Sequence, residues 1–185
     1  MLNEIIEDTK LGMERSLQSL DASFKKIRTG RANPALLDEI KVDYYEPLIP
    51  LSQLANISVE DAKTIAIVPW EKSVVQDIEK AIMESDLGLH PAASGDTIRV
   101  ILPDLTEETR KDFIKKAKAE AENARVSIRN NRREGNSQLK DFLKEKEISE
   151  DEERQGEEEI QKLTDLYVSK VEEALIAKEK DLLDF

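Results

Sequence analysis

Four arginines lie close together in a stretch that contains no acidic residue. Arg125, Arg129, Arg132 and Arg133 form this block, in a chain whose formal net charge is -12. An acidic protein repels nucleic acid unless its cations are gathered on one surface. Arginine suits such a surface because its planar guanidinium group binds phosphate through two parallel hydrogen bonds. These residues therefore predict phosphate recognition on one local surface.

The spacing of the cations places them on one flank of a helix. When the helix is numbered in heptads with Ile114, Ala121 and Ile128 at position a, the cations fall at the adjacent positions e and b. The flank spans about 32 Å at about 1.5 Å per residue, long enough to follow several phosphates. The alternative is a solvated face whose cations pair with acids of neighbouring helices. Position e holds Lys111, Lys118, Arg125 and Arg132, and position b holds Lys115 and Arg129.

Residues for catalysis, metal binding and nucleotide hydrolysis are scarce. His90 is the only histidine and is expected in a loop, and there is no cysteine, so no catalytic triad or thiolate metal site is predicted. The acids between Glu150 and Glu159 are expected to complement the dipole of a helix start. The glycines are never closer than seven residues apart, which excludes a glycine-rich phosphate loop. We therefore predict no enzyme activity, no metal and no cofactor.

The composition favours long solvated helices. Charged residues make up 37% of the 185 residues and aromatic residues only 4%, which is unlike a compact enzyme core. The acidic N-terminal segment lacks the features of a secretory signal, and no apolar run approaches the roughly 20 residues of a membrane span. We expect a cytoplasmic protein without a membrane partner.

Three segments have the apolar spacing of helices that pack along one seam. The first ends at Gly30, the second runs from a cap at Asp104 or Thr106 to about residue 146, and the third begins at Ser149. The predicted seams are Ile6, Met13, Leu17, Leu20, Phe24 and Ile27, then Ile114, Ala117, Ala121, Ala124, Ile128, Leu139, Phe142 and Leu143, and finally Ile160, Leu163, Tyr167, Val171, Ala174 and Leu182.

The segment between the first two helices predicts a small α/β domain. Alternation over Ile40–Tyr44 indicates a half-buried strand, and the runs Thr64–Val68 and Thr97–Leu102 indicate two more, the first of them central. A helix is expected from Ser73 to Met83. The fold class is therefore α+β, with a long antiparallel three-helix bundle and an inserted α/β domain. The bundle comprises residues 1–30 and 105–185, and the inserted domain residues 31–104.

Charge follows this division. Residues 110–143 contain 10 basic and 5 acidic side chains, a net charge of +5, whereas residues 30–104 contain 6 and 13, a net charge of -7. Two connections, near Gly30–Arg31 and Pro103–Asp104, join the inserted domain to the bundle. We expect a hinge there, because a double connection permits bending with limited separation.

Three aromatic residues of the inserted domain have two possible roles. They are Trp70 and the pair Tyr44–Tyr45. Packing inside the domain is the more frequent fate of such residues. A surface that binds a protein partner is the alternative.

Six segments, distributed over both predicted domains, form a specific pattern. Together they resemble the bacterial ribosome recycling factor family over essentially all 185 residues, which a generic coiled coil would not do. The chain departs from the family pattern at Glu46, where glycine is usual, and at His90, where asparagine is common. The six segments are Arg28–Pro34, Pro69–Lys72, Ser85–Pro91, Leu105–Glu108, Arg125–Arg133 and Lys146–Asp151.

The resemblance implies an L-shaped monomer whose bundle binds rRNA of the large ribosomal subunit. The inserted domain then faces elongation factor G, and neither DNA nor a membrane is a partner. RNA binding is assigned first to Arg132 and Arg129, with Arg125, Arg133, Arg110 and Arg28 as further candidates. The hinge maps to Gly30, Arg31, Pro103, Asp104, Leu105 and Thr106.

The implied function is mechanical. With elongation factor G and GTP, the protein splits the post-termination ribosome into subunits and so releases mRNA and tRNA. The alternative is a coiled-coil scaffold or chaperone-like protein, which uses the same seams but self-associates and has no need of the inserted domain. An enzyme is the weakest alternative because the chain lacks a coherent set of catalytic polar groups.

Overall fold

The computed structural model describes residues 1–184, which are α+β as the sequence predicted. The chain divides into two compact units, one built from Met1–Phe24 with Asp112–Leu183 and the other mainly from Lys25–Lys111. This division runs at 24/25 and 111/112, whereas the predicted domain boundaries lie at 30/31 and 104/105. The elements in chain order are α1 (Leu2–Lys26), β1 (Lys41–Asp43), β2 (Leu48–Pro50), β3 (Ala55–Asp61), β4 (Thr64–Pro69), α2 (Val75–Glu84), β5 (His90–Ser94), β6 (Thr97–Ile101), α3 (Glu107–Lys144) and α4 (Glu150–Leu183).

The first unit is a bundle of α1, α3 and α4. Along α1 and α3 the contacting residues run in opposite directions, because Gly12 lies against Asn131 while Ser16 shares a 2.6 Å hydrogen bond with Ser127. The same holds for α3 and α4, because Arg125 pairs with Glu172 while Arg132 donates to Gln161. The α3 helix is therefore antiparallel to both of its neighbours.

Small residues let these helices approach closely. A Cβ atom added at Gly135 of α3 would lie 2.5 Å from Thr9 Oγ1 of α1 and 2.9 Å from Ile160 Cδ1 of α4. A Cβ atom at Gly156 of α4 would lie 2.9 Å from Leu139 Cδ1. The helix-interior glycine at position 135, which disfavours a helix by about 1 kcal/mol relative to alanine, is thus required by packing.

The buried seam of α1 differs from the apolar pattern of its sequence. Ile6 and Leu17 are only half-buried, and the core instead contains Thr9 and Ser16. Both hydroxyls donate to a carbonyl one turn earlier, Thr9 Oγ1 to Ile5 O at 2.8 Å and Ser16 Oγ to Gly12 O at 3.1 Å. A buried hydroxyl costs little once it is hydrogen-bonded, which is why an apolar pattern did not reveal these positions.

The other two seams agree with the prediction in part. On α4 the buried positions include Gly156, Thr164 and Leu175, while the predicted Leu163 and Ala174 are half-buried. On α3 the alanine seam and Ile128 are buried as predicted, together with Gly135 and Leu139. The predicted α3 positions Ile114, Phe142 and Leu143 are half-buried.

Several helix ends differ from the prediction. The α1 helix ends at Lys26, four residues before Gly30. Thr106 caps α3, since its Oγ1 accepts a 3.1 Å hydrogen bond from Thr109 N. Asp104, the other predicted cap, instead forms an ion pair with Lys63.

The connection between α3 and α4 follows recognised capping chemistry. The α3 helix ends at Lys144, and Lys146 adopts a left-handed conformation with φ of 60°. The amide of Glu147 then donates to Phe142 O at 2.9 Å, which satisfies an open carbonyl of the last turn. Ser149 caps α4 as predicted, accepting from Glu152 N at 3.1 Å.

The second unit contains a four-stranded antiparallel sheet in the order β3-β4-β6-β5 and a separate β1–β2 hairpin. The β4 strand is central, as predicted, and its Ile65 and Ile67 share a buried core with Ile78 and Ile82 of α2. Predicted segments for β1, β6 and α2 also correspond to observed elements. The sequence did not reveal β2, β3 or β5, and His90 begins β5 rather than lying in a loop.

We predict that Gly135→Ala destabilises the protein. The methyl group gains about 1 kcal/mol of helix propensity but overpacks the interface of three helices, which costs about 1–3 kcal/mol. A net loss of up to about 2 kcal/mol is expected in the free energy of unfolding measured with urea. Ser137→Ala, at an exposed position of the same helix, is the control and should stay within about 0.5 kcal/mol. An equal or higher stability of Gly135→Ala would contradict the close approach.

The buried Tyr167 predicts a pH dependence. Burial, together with a 3.0 Å hydrogen bond that its hydroxyl donates to Glu14, raises its pKa from 10.0 to about 12. The unfolded tyrosine therefore ionises first, so its stabilisation is complete below pH 10 and is lost as the pH rises toward 12. Between pH 9 and 11.5, the free energy of unfolding measured with urea should decline less for Tyr167→Phe than for the wild type. Parallel declines would contradict this assignment.

Candidate nucleic-acid interface

The rotation of α3 decides which cations face outward. Ala117, Ala121, Ala124 and Ile128 are buried in the bundle, so the adjacent positions e and b emerge beside the seam. These are the positions of the predicted basic flank. The structure separates its members into cations that other helices hold and cations that remain exposed.

Arg125 is held inside the bundle surface. Its side chain is only 16% exposed, and its Nε donates to Glu172 Oε1 of α4 at 2.7 Å while Nη1 lies 2.9 Å from Glu122 Oε2. Burial would lower the pKa of Arg125, but the hydrogen bonds to Glu122 and Glu172 outweigh it and raise that pKa. Arg125 therefore joins α3 to α4. The alternative prediction, in which cations of the flank pair with acids of neighbouring helices, therefore holds for Arg125.

Arg129 and Arg132 follow Arg125 on the same flank, and Arg129 is exposed while Arg132 is half-buried. Arg129 Nη1 is 3.6 Å from Glu122 Oε1, and both side chains are substantially exposed. Arg132 Nη1 donates to Gln161 Oε1 of α4 at 3.3 Å. The partner of Arg132 is a neutral amide, so its positive charge is not neutralised there. Exposed ion pairs such as that of Arg129 contribute little energy and can be exchanged for a phosphate.

Three further cations extend this outer surface. Lys115, Lys118 and Arg133 are exposed, and none forms an ion pair with a residue between 1 and 184. Lys111 pairs with Glu107 one turn earlier at 3.1 Å. We call the set Lys115, Lys118, Arg129, Arg132 and Arg133 the outer basic surface.

The two remaining predicted arginines lie in the second unit. Arg28 is half-buried, and its Nη2 donates to the carbonyl of Pro103. Burial lowers the pKa of Arg28, and the negative charge of Asp104 offsets this lowering only in part. Arg110 is half-buried as well, with a buried Nε. Arg28 thus links the two chain connections.

The β3–β4 turn contacts the chain beside both connections of the predicted hinge. Ala32 N donates to Ala62 O at 2.7 Å, and Leu102 N donates to Lys63 O at 2.8 Å. The Lys63 side chain pairs with Asp104, and this pair lowers the pKa of the carboxyl group. Of the predicted set, Gly30 and Leu105 are buried, Arg31 and Pro103 are exposed, and Thr106 caps α3. Whether the segment bends stays a prediction.

The aromatic residues of the second unit differ from the expected packing. Trp70 is 68% exposed and Tyr45 is 76% exposed, whereas Tyr44 is half-buried. Packing therefore accounts for Tyr44 only in part and does not account for the other two. The sequence signal for exposure was weak, because large aromatic side chains are usually buried.

The described part of the chain holds no group of acids and histidines arranged to bind a metal. No helix within residues 1–184 has both the length and the hydropathy that a membrane span requires.

The profile of the family described as "Ribosome recycling factor" matches residues 20–183. The chain belongs to this family. It is similar to the ribosome-recycling factors of Marinomonas sp. (strain MWYL1), 57% identical over 184 residues, and of Saccharophagus degradans, 55% identical over 184 residues, with all of each chain covered.

Two solved structures of the family resemble the whole chain. The solution structure of a ribosome recycling factor has a TM-score of 0.74 at 38% identity and covers 100% of this chain and 98% of its own. The other is the T. thermophilus ribosome recycling factor in models with E. coli elongation factor G bound to the E. coli post-termination complex. It has a TM-score of 0.67 at 43% identity and covers 99% of each chain.

We predict that Arg125 and Arg133 differ in their effect on stability. Arg125→Ala leaves the Glu172 carboxylate without its partner and should lower the free energy of unfolding by about 1–3 kcal/mol. Arg133→Ala, on the exposed surface of the same helix, should change it by less than about 0.5 kcal/mol. Urea denaturation of both variants is the measurement, and equal effects would show that Arg125 has no structural role.

Proposed function

We propose that this chain recycles ribosomes after termination. Acting with elongation factor G and GTP, it splits the post-termination ribosome into subunits, so that mRNA and tRNA are released. The observation that carries the proposal is family membership over essentially the full chain. A relative 43% identical to this chain is described together with elongation factor G on a post-termination complex, which supports the choice of partners.

The outer basic surface binds rRNA of the large subunit in this proposal. Arg132 and Arg129 make the principal phosphate contacts, because Arg129 is exposed and half-buried Arg132 is engaged only by a neutral amide. Arg133, Lys115 and Lys118 extend the contact along the helix. Arg125 acts indirectly, by fixing α3 against α4 through Glu172.

Glu122 has a specific place in this surface. Its two carboxylate oxygens lie against Arg125 and Arg129, where they neutralise charge that a phosphate would otherwise meet. Arg28 and Arg110, which lie near Pro103 and Asp104 in the second unit, are assigned to the connection between the proposed domains. Their contribution to RNA binding is secondary.

The chain contributes binding and mechanics rather than chemistry. GTP is hydrolysed by elongation factor G, and the chain itself is a cytoplasmic monomer without enzyme activity or cofactor. The inserted domain, residues 31–104, faces elongation factor G and moves at the hinge formed by Gly30, Arg31 and residues 103–106. The experiment that tests the function is subunit splitting of post-termination ribosomes with and without this chain, in the presence of elongation factor G and GTP. No splitting above the level without the chain would refute it.

We predict that Arg132→Ala weakens binding to the large subunit by about 1–3 kcal/mol and reduces the salt dependence of log affinity by about one unit of slope. Loss of one phosphate contact is the physical reason. Sedimentation of the variant with purified large subunits at several salt concentrations provides both quantities. Arg154→Ala, which removes an exposed arginine of α4, is the matched control. Equal binding of the Arg132→Ala and Arg154→Ala variants to the large subunit would contradict the role of Arg132 as a phosphate contact.

A further inference from the structure

The second unit carries two exposed aromatic side chains, Trp70 and Tyr45. Trp70 lies at one side of a cleft of about 280 Å³, and its indole is largely exposed. The apolar lining of the cleft includes Ile49, Leu54 and Val74. We call this cavity the aromatic cleft, and its lining residues are Tyr44, Ile49, Gln53, Leu54, Trp70, Glu71 and Val74.

A carboxylate is fixed at this cleft. The hydroxyl of Tyr44 lies 3.0 Å from both Oε1 and Oε2 of Glu71. A phenol supplies one proton, so the carboxylate retains its charge and most of its acceptor capacity. Glu71 lies directly after Trp70 in the chain, and the cleft thus combines aromatic faces with an oriented negative charge.

The turn beside the cleft is held in a conformation that side chains disfavour. Tyr45 has φ of 51° and Glu46 has φ of 87°, both in the left-handed region that costs roughly 1–2 kcal/mol for an ordinary residue. Tyr44 N donates to Pro47 O at 3.1 Å, and Glu46 N donates to Asp43 Oδ1 at 3.2 Å. The Tyr45 ring meets the Tyr44 ring edge to face at 4.6 Å. This strained turn presents Tyr45 to solvent next to the residue that anchors Glu71.

The size and charge of the cleft favour one kind of occupant. Its volume of about 280 Å³ is just below the roughly 300–1,000 Å³ typical of small-molecule sites, which suits a single long side chain. The neighbouring cation Lys72 lies 3.3 Å from Asp96 and is engaged there. Residues 30–104 contain 6 basic and 13 acidic side chains, so long-range electrostatics also favour a cation. Aromatic faces attract Lys and Arg head groups.

We propose that the aromatic cleft receives an arginine or lysine side chain of a protein partner, held against Trp70 and Tyr44 and neutralised by Glu71. The inference rests on the proposed function, which supplies elongation factor G as the protein that faces this unit. It goes beyond that function by assigning the recognition chemistry to named residues. Trp, Tyr and Arg are also the residue types that dominate the binding energy of protein interfaces.

The test measures the concentration of elongation factor G that gives half-maximal subunit splitting at a saturating concentration of this chain. Trp70→Ala removes the indole face and should raise that concentration about 2- to 30-fold, the range of a cation–π contact. Glu71→Gln removes the charge but keeps an acceptor for Tyr44, and it should raise the concentration in the same range. Trp70→Phe keeps an aromatic face and should show the smaller effect. Met83→Ala, at a methionine that is 64% exposed, is the control and should match the wild type.

Binding to the large subunit is measured for each variant in parallel and should be unchanged, which separates this site from the outer basic surface. Far-UV circular dichroism establishes that each variant is folded. A half-maximal concentration equal to the wild type for both Trp70→Ala and Glu71→Gln would overturn the cleft proposal while leaving the proposed function intact. Failure of the wild-type chain to split ribosomes would overturn the proposed function, and the assigned partner of the cleft with it.

Discussion

The structure of the first unit depends on how closely its three helices pack against one another. Gly135 leaves no room for a Cβ atom between Thr9 and Ile160, and the alanine seam of α3 is buried on the same side. Packed helices with small residues at the contact have little freedom to rotate, because a turned helix brings larger side chains into the interface. This constraint fixes the face that α3 turns outward and, with it, the position of every cation on the helix.

The arginines of α3 differ in what they can bind. Arg125 is close to the seam and is committed to Glu172, so it stabilises the bundle. Arg129 lies about one turn and Arg132 about two turns further along the flank, where their partners are an exposed carboxylate and a neutral amide. A net charge of -12 repels RNA elsewhere, and this contrast supports the proposal that the outer basic surface binds rRNA.

The sequence predicted the strong periodic features and missed the subtle ones. The β4 strand was evident from its apolar run, and the cap at Ser149 from its spacing to Glu152. The weaker strands β2, β3 and β5 carry little apolar pattern, and positions such as Thr9 are buried only because the hydroxyl finds a carbonyl one turn away. The pairing of Arg125 with Glu172 joins residues 47 positions apart, so no local pattern revealed it. The exposure of Trp70 likewise depends on the surrounding fold.

We propose that the rotation of α3 places Arg129 and Arg132 on ribosomal phosphates while Arg125 remains in the bundle. A structure of this chain bound to the large ribosomal subunit tests it most directly. The account predicts guanidinium groups of Arg129 and Arg132 at about 3 Å from phosphate oxygens, with Arg125 still paired to Glu172. An α3 flank that faces solvent in the complex, or an Arg125 that leaves Glu172 to contact RNA, would contradict it.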